Sequence, residues 1–181
     1  MTTIDFVMRA SPAFASGYEY GPFVRSKGVS MPSRDEKELT EFCDRWKRQV
    51  FTFCHALLAD QRSAEEATSD TLVNFLRHKT DEFDEKTVPP KLFACAMQAV
   101  QKYGSANNRN LHGAPPLLAA MHKLPLRERA VVTMRNILHM DWSAIGGSLG
   151  LSATRVHEVW KNGVMQLTDF LQNDFAKEFS R

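Results

Sequence analysis

Apolar residues recur every three or four positions along much of this chain, the spacing that gathers them on one face of an α-helix. From Asp35 onward, Leu39, Phe42, Cys43, Trp46, Val50, Phe53, Cys54 and Leu57 keep that rhythm. They predict an amphipathic helix of about six turns. Asp60 and Gln61 interrupt it, and Ser63 then stands three residues before Glu66, the spacing of a capping box that opens a second helix. The predicted inner face of this second helix is Ala64, Thr68, Thr71, Leu72, Phe75 and Leu76; its outer stripe is Glu66, Asp70, Val73, Asn74 and Arg77. After an acidic turn over 81–85, Pro89-Pro90 starts a third helix that buries Leu92, Ala96, Ala99, Val100 and Tyr103.

The punctuation between these runs sets the domain plan. Residues 1–34 mix Gly, Pro and aromatics such as Tyr18, Tyr20 and Phe23 without helix or strand period. They form an N-terminal extension, either a solvated tail or, given its aromatics, a segment that docks on the body. The Gly/Pro/Asn-rich stretch 104–116 reads as a linker. No strand pattern and no internal repeat is present. The expectation is an all-α protein of two small helical domains, 35–103 and 117–181, joined by a flexible linker.

The C-terminal unit is the more informative. Asp141 or Ser143 can cap a short helix carrying AIGGSL; Gly150-Leu151-Ser152 breaks it, and a longer helix opens at Ser152. Two helices joined by a tight Gly-containing turn have the form of a helix-turn-helix, whose second helix enters the DNA major groove. On that helix Val156, Val159, Trp160, Val164, Leu167 and Leu171 make the packed side, while Ser152, Thr154, Arg155, His157, Glu158 and Lys161 are the candidate DNA contacts. Arg155 and Lys161 can reach phosphates or a guanine edge, Thr154 a phosphate or a thymine methyl, and Glu158 can accept from cytosine. A helix that serves only packing and solubility is the plainer alternative.

Composition narrows the function. The chain has 181 residues, 43% of them hydrophobic, and a formal charge of +2. That balance does not suit a protein that coats nucleic acid unaided, so any DNA contact must be local or lean on a partner. Cys43, Cys54 and Cys95 are few and widely spaced, which favours a reducing cytoplasm over a disulfide framework. No run suits a membrane span, and Arg9 and Pro12 interrupt the N-terminal segment too early for a good signal peptide. Cys43, Cys54 and His55, with Cys95 as a further ligand, could be imagined around zinc, yet Cys43 and Cys54 fall in an apolar stripe without close-paired ligand spacing, so core packing is expected and no metal or other cofactor. The six histidines make no HExxH, and there is no GxSxG, P-loop or Rossmann fingerprint. No enzyme activity is expected.

Taken together, the layout resembles an extracytoplasmic-function sigma factor, a small two-domain bacterial transcription initiation factor, over about 36–171. Leu124-Pro125 matches the family's LP, Arg127 and Arg129 its ExR-like segment, and Met134-Arg135 its LR pair. Ile145 and Leu149-Gly150-Leu151-Ser152 match the IA-x-x-LGIS turn, and Val156 the valine of the recognition helix. In the N-terminal half, Ala64-Glu65-Glu66 and Asp70-Thr71-Leu72 stand where the family shows AED…Q-[ED]-[TA]-F. The resemblance implies that Glu66, Asp70, Val73, Asn74 and Arg77 dock on the β′ clamp of core RNA polymerase. It implies that the third helix, through Lys91, Phe93, Gln98 and Lys102, opens and reads the minus-10 element of promoter DNA. The C-terminal domain would read the minus-35 element and touch the β flap, and an anti-sigma protein would control the whole.

Departures from the family pattern bear on DNA. Val159, Asn162 and Val164 occupy places where family recognition helices carry arginines, so fewer phosphates are met and counterion release contributes less. The third helix shows Lys91-Leu92 and Met97-Gln98 in place of the family's tryptophan-leucine start and arginine-asparagine pair. Two readings stay open: an alternative sigma factor dependent on core polymerase, or a sigma-like regulator or anti-sigma decoy that does not open promoters.

Overall fold

The computed structural model describes residues 34–77, 87–104, 111 and 114–178, and no strand occurs among them. The extension before residue 34, the acidic turn 81–85 and most of the linker 104–116 lie outside the described residues. Among the described residues seven α-helices follow one another: α1 (Arg34–Leu58), α2 (Gln61–Arg77), α3 (Val88–Gly104), α4 (Pro116–Lys123), α5 (Leu126–Val132), α6 (Trp142–Leu149) and α7 (Ala153–Glu178). A π-helical turn, Thr133–Ile137, continues α5. The fold is all-α.

In the N-terminal half, α1, α2 and α3 pack through the predicted stripes. Phe42 stacks on Phe75 at 5.2 Å, and Phe53 meets the ring of Phe93 edge-on at 5.3 Å, geometries that add to the area aromatics remove from water. Burial begins at Phe42; Leu39, one turn earlier, is 40% exposed. The start of α2 corrects the capping box. Ala59 adopts a left-handed φ of 53°, which turns the chain and brings Asp60 to the cap. Asp60 Oδ2 accepts the backbone N–H of Ser63 at 2.8 Å, and its carbonyl accepts that of Ala64. Asp is at least as good an N-cap as Ser, so the helix opens at Gln61, and Glu66 pairs with Arg62 at 3.2 Å instead.

The C-terminal half has a satellite cluster in which Leu117, Met121 and Leu124 meet Val132, Leu167 and Leu171. Six further buried residues of this half, Ala130, Val131, Met134, Ile145, Val156 and Val159, join the same cluster as Phe53, Leu57, Leu92 and Phe93. The main core therefore runs between the halves, with α3 packed on α6 and α1 on α5.

One buried polar residue ties this seam. Arg129, 4% exposed, uses all five of its N–H donors. Nε donates to the Met121 carbonyl at 3.0 Å, and Nη2 to those of His122 and Leu124, both at 3.0 Å. Nη1 donates to the Leu57 carbonyl and to His122 Nδ1, both at 2.8 Å. These carbonyls cap the C-terminal ends of α1 and α4, where helix dipoles favour a cation.

Candidate nucleic-acid and polymerase interface

The turn between α6 and α7 is built by backbone constraints. Gly150 holds φ at 65°, a left-handed value that glycine adopts without steric cost. Leu151 N–H reaches back to the Gly146 carbonyl at 2.9 Å. A Cβ on Gly146 would lie 2.6 Å from the Leu151 carbonyl oxygen, so the tight return needs glycine there. Ser152 Oγ then accepts the backbone N–H of Arg155 at 3.3 Å and its carbonyl accepts that of Val156, which starts α7 as an N-cap does.

Val156 and Val159 are buried, and that fixes the rotation of α7. Ser152, Thr154, Arg155, His157, Glu158 and Lys161 are all exposed and come together on one open surface. Arg155 Nη1 lies 2.8 Å from Glu158 Oε2, both largely solvated. Such a pair contributes little to stability, yet it offsets part of the positive charge on this face.

Behind this surface stands a frame that sequence reasoning missed. Trp142, at the start of α6, meets Trp160 edge-on at 5.5 Å and His157 at 5.4 Å. The Arg135 guanidinium lies 4.5 Å over the Trp142 ring and donates to the Met140 carbonyl at 2.8 Å. Trp160 Nε1 donates to Asn136 Oδ1 at 2.8 Å. Arg135 and Asn136 both come from the π turn, so this irregular segment carries the groups that orient the first turns of α7. Cation–π and hydrogen-bond contacts of this kind hold a side chain without burying it. The two tryptophans were the available signal; the π turn has no sequence signature.

On the N-terminal half, Glu66, Val73, Asn74 and Arg77 are exposed along α2, with Val73 at 41% the apolar point in the stripe. Asp70 is partly covered. Lys102 Nζ donates to Asp70 Oδ2 at 2.7 Å and Tyr103 Oη donates to the same oxygen at 2.8 Å. Hydrogen bonds from Lys102 and then Tyr103 hold the Asp70 carboxyl below its usual pKa, and the same contact with Asp70 raises that of Lys102. The candidate polymerase stripe and the candidate minus-10 set thus share one node. Lys91 and Gln98 are exposed on α3.

Phe93 is a correction. Its ring is fully buried against Phe53, because position 93 falls on the side of α3 that faces α1, so it is core and not a DNA contact. Tyr103, read as inward-facing, is partly exposed and tied through its hydroxyl to Asp70.

The cysteines follow packing. Cys54 is fully buried and its thiol is pushed up to about 12 by desolvation; Cys43 and Cys95 are half-buried with thiols also raised, mainly by burial. Among the described residues no group of three His, Cys, Asp or Glu is placed to hold a metal ion, and no helix is long and apolar enough to cross a membrane. Comparison with family models and with curated proteins gives no match.

Proposed function

We propose that this protein is an alternative sigma factor of the extracytoplasmic-function type, which binds core RNA polymerase and directs it to promoters. The observation that carries the reading is the α6–turn–α7 unit, in which six polar residues from Ser152 to Lys161 share an open face on a helix fixed by buried valines. That is the form required to lay a helix in a major groove. Thr154, Arg155, His157, Glu158 and Lys161 would read the minus-35 element. Glu66, Asp70, Asn74 and Arg77 around Val73 would dock on the β′ clamp, supplying charge for orientation and an apolar point for burial. The chain would carry no chemistry itself, work in the cytoplasm and answer to an anti-sigma protein.

A second reading is favoured by Phe93. Proteins that hold melted DNA stack bases on exposed aromatics, and on α3 Phe93 is buried while Tyr103 is tied to Asp70. A sigma-like regulator or decoy that binds without opening promoters fits that observation. Run-off transcription with core polymerase separates the two. Promoter-specific initiation is expected from a sigma factor; polymerase binding without initiation selects the regulator.

A further inference from the structure

Among the exposed residues from Ser152 to Lys161 stand two cations, Arg155 and Lys161, with a single carboxylate, Glu158, between them. Arg155 and Lys161 each lie three positions from Glu158, so all three fall along one stripe of α7. Arg155 Nη1 donates to Glu158 Oε2 at 2.8 Å. Helix stability does not account for this pair. α7 opens at Ala153, which puts the Arg155 cation in a first turn that holds no acidic residue. The helix dipole favours the opposite order, an anion first and a cation after it. Both side chains are more than half exposed, so the pair stabilises the fold little. A carboxylate in the middle of a DNA-facing stripe also repels phosphates. Its position is accounted for by base edges instead.

We propose that Glu158 is the specificity-determining residue of the α7 face, selecting an amino-bearing base beside a guanine at the expense of affinity. The inference rests on the sigma-factor reading and names the DNA that this face takes. In the major groove cytosine and adenine present amino donors where guanine and thymine present carbonyl oxygens. An ionised carboxylate only accepts hydrogen bonds. On the strand it faces, Glu158 therefore admits cytosine or adenine and rejects guanine or thymine. Arg155 gives one N–H to Glu158; a guanidinium has five, enough to meet guanine N7 and O6 as well. Held by Glu158, Arg155 is kept for a base edge and is less available to the nearest phosphate. Three residues of helix advance about 4.5 Å and successive base pairs about 3.4 Å, so the two side chains address neighbouring pairs. The same carboxylate leaves the stripe with one net positive charge, so the face binds weakly until polymerase holds it on the promoter.

The test selects sequences from a random duplex pool with core polymerase carrying the full chain, as wild type, Glu158→Gln or Glu158→Ala. The wild type should give a block in which a guanine adjoins a position that takes cytosine or adenine on one strand. Glutamine keeps an oxygen for Arg155 but also donates, so Glu158→Gln should lower the preference at the second position about tenfold and leave the guanine in place. Alanine holds nothing, so Glu158→Ala should relax both positions. Both variants should bind a duplex of scrambled sequence more tightly than the wild type does. A base profile unchanged by Glu158→Gln, or weaker binding of the scrambled duplex, overturns the inference, while a block selected by the wild type leaves the sigma-factor reading standing. Selection of no block by the wild type defeats that reading and the inference together.

Discussion

Replacing Arg129 by Met should be among the most damaging single changes in the protein. Methionine fills much of the same volume, but it supplies none of the five donors that serve Met121, His122, Leu124 and Leu57. Each hydrogen bond to a charged group is worth about 1.5–3 kcal/mol, and each buried carbonyl left unsatisfied costs about 1–3 kcal/mol. The sum overstates the loss, because the Met121 carbonyl also accepts from Leu124 N–H and because removing the buried cation recovers its desolvation. A net loss of about 3–5 kcal/mol remains, comparable to breaking other buried charged networks. For a body of this size that lowers Tm by about 10–15 °C. Arg129→Lys keeps the charge but cannot reach carbonyls in several directions at once, so about half the loss is expected. Urea denaturation followed at the helix dichroism band measures both. A loss under about 1 kcal/mol for Arg129→Met would refute the view that this network joins the halves.

Other consequences are simpler to check. Phe93→Ala should cost about 3–5 kcal/mol in the same denaturation assay, and a stable variant defective only in DNA binding would reverse the correction at that position. A thiol reagent at neutral pH should modify Cys43 and Cys95 slowly and spare Cys54 until the chain is unfolded, since the buried thiol at about 12 forms almost no thiolate; mass spectrometry of the native protein reads the count directly. His55 has its pKa lowered by burial beside Phe51, so the folded state binds its proton less readily than the unfolded chain. The stability this gives is present above the unfolded value of about 6.5 and is lost as pH falls through the folded value. His55→Gln should flatten the acid side of the stability profile, and an unchanged profile would remove His55 as a contributor.

Much of the fold was legible because it is helical and its code is local. The stripes of α1 and α2, the Gly150 turn and the packed side of α7 follow from three-and-four spacing and from residues with special backbone preferences. Errors arose where two local signals competed or where the partner is distant in sequence. Ser63 and Asp60 are both good caps, and the left-handed turn at Ala59 decided between them. Phe93 lies on a helix whose neighbours are apolar on more than one side, so periodicity alone left its ring outside the core. Arg129 stood out only through a resemblance to a family motif, its reach to Leu57 spans 72 positions, and nothing near either residue announces it. Of the candidate site, the exposed face of α7 followed from the valines opposite, whereas the Arg135–Trp142–Trp160 frame depends on a π turn.

The most direct measurement presents a random pool of double-stranded DNA to core polymerase with and without the full chain, then sequences what the complex retains. The chain should select a bipartite pattern, with two conserved blocks at fixed separation, and Arg155→Ala should relax one block alone. Retention of sequences indistinguishable from those held by core polymerase alone would contradict it.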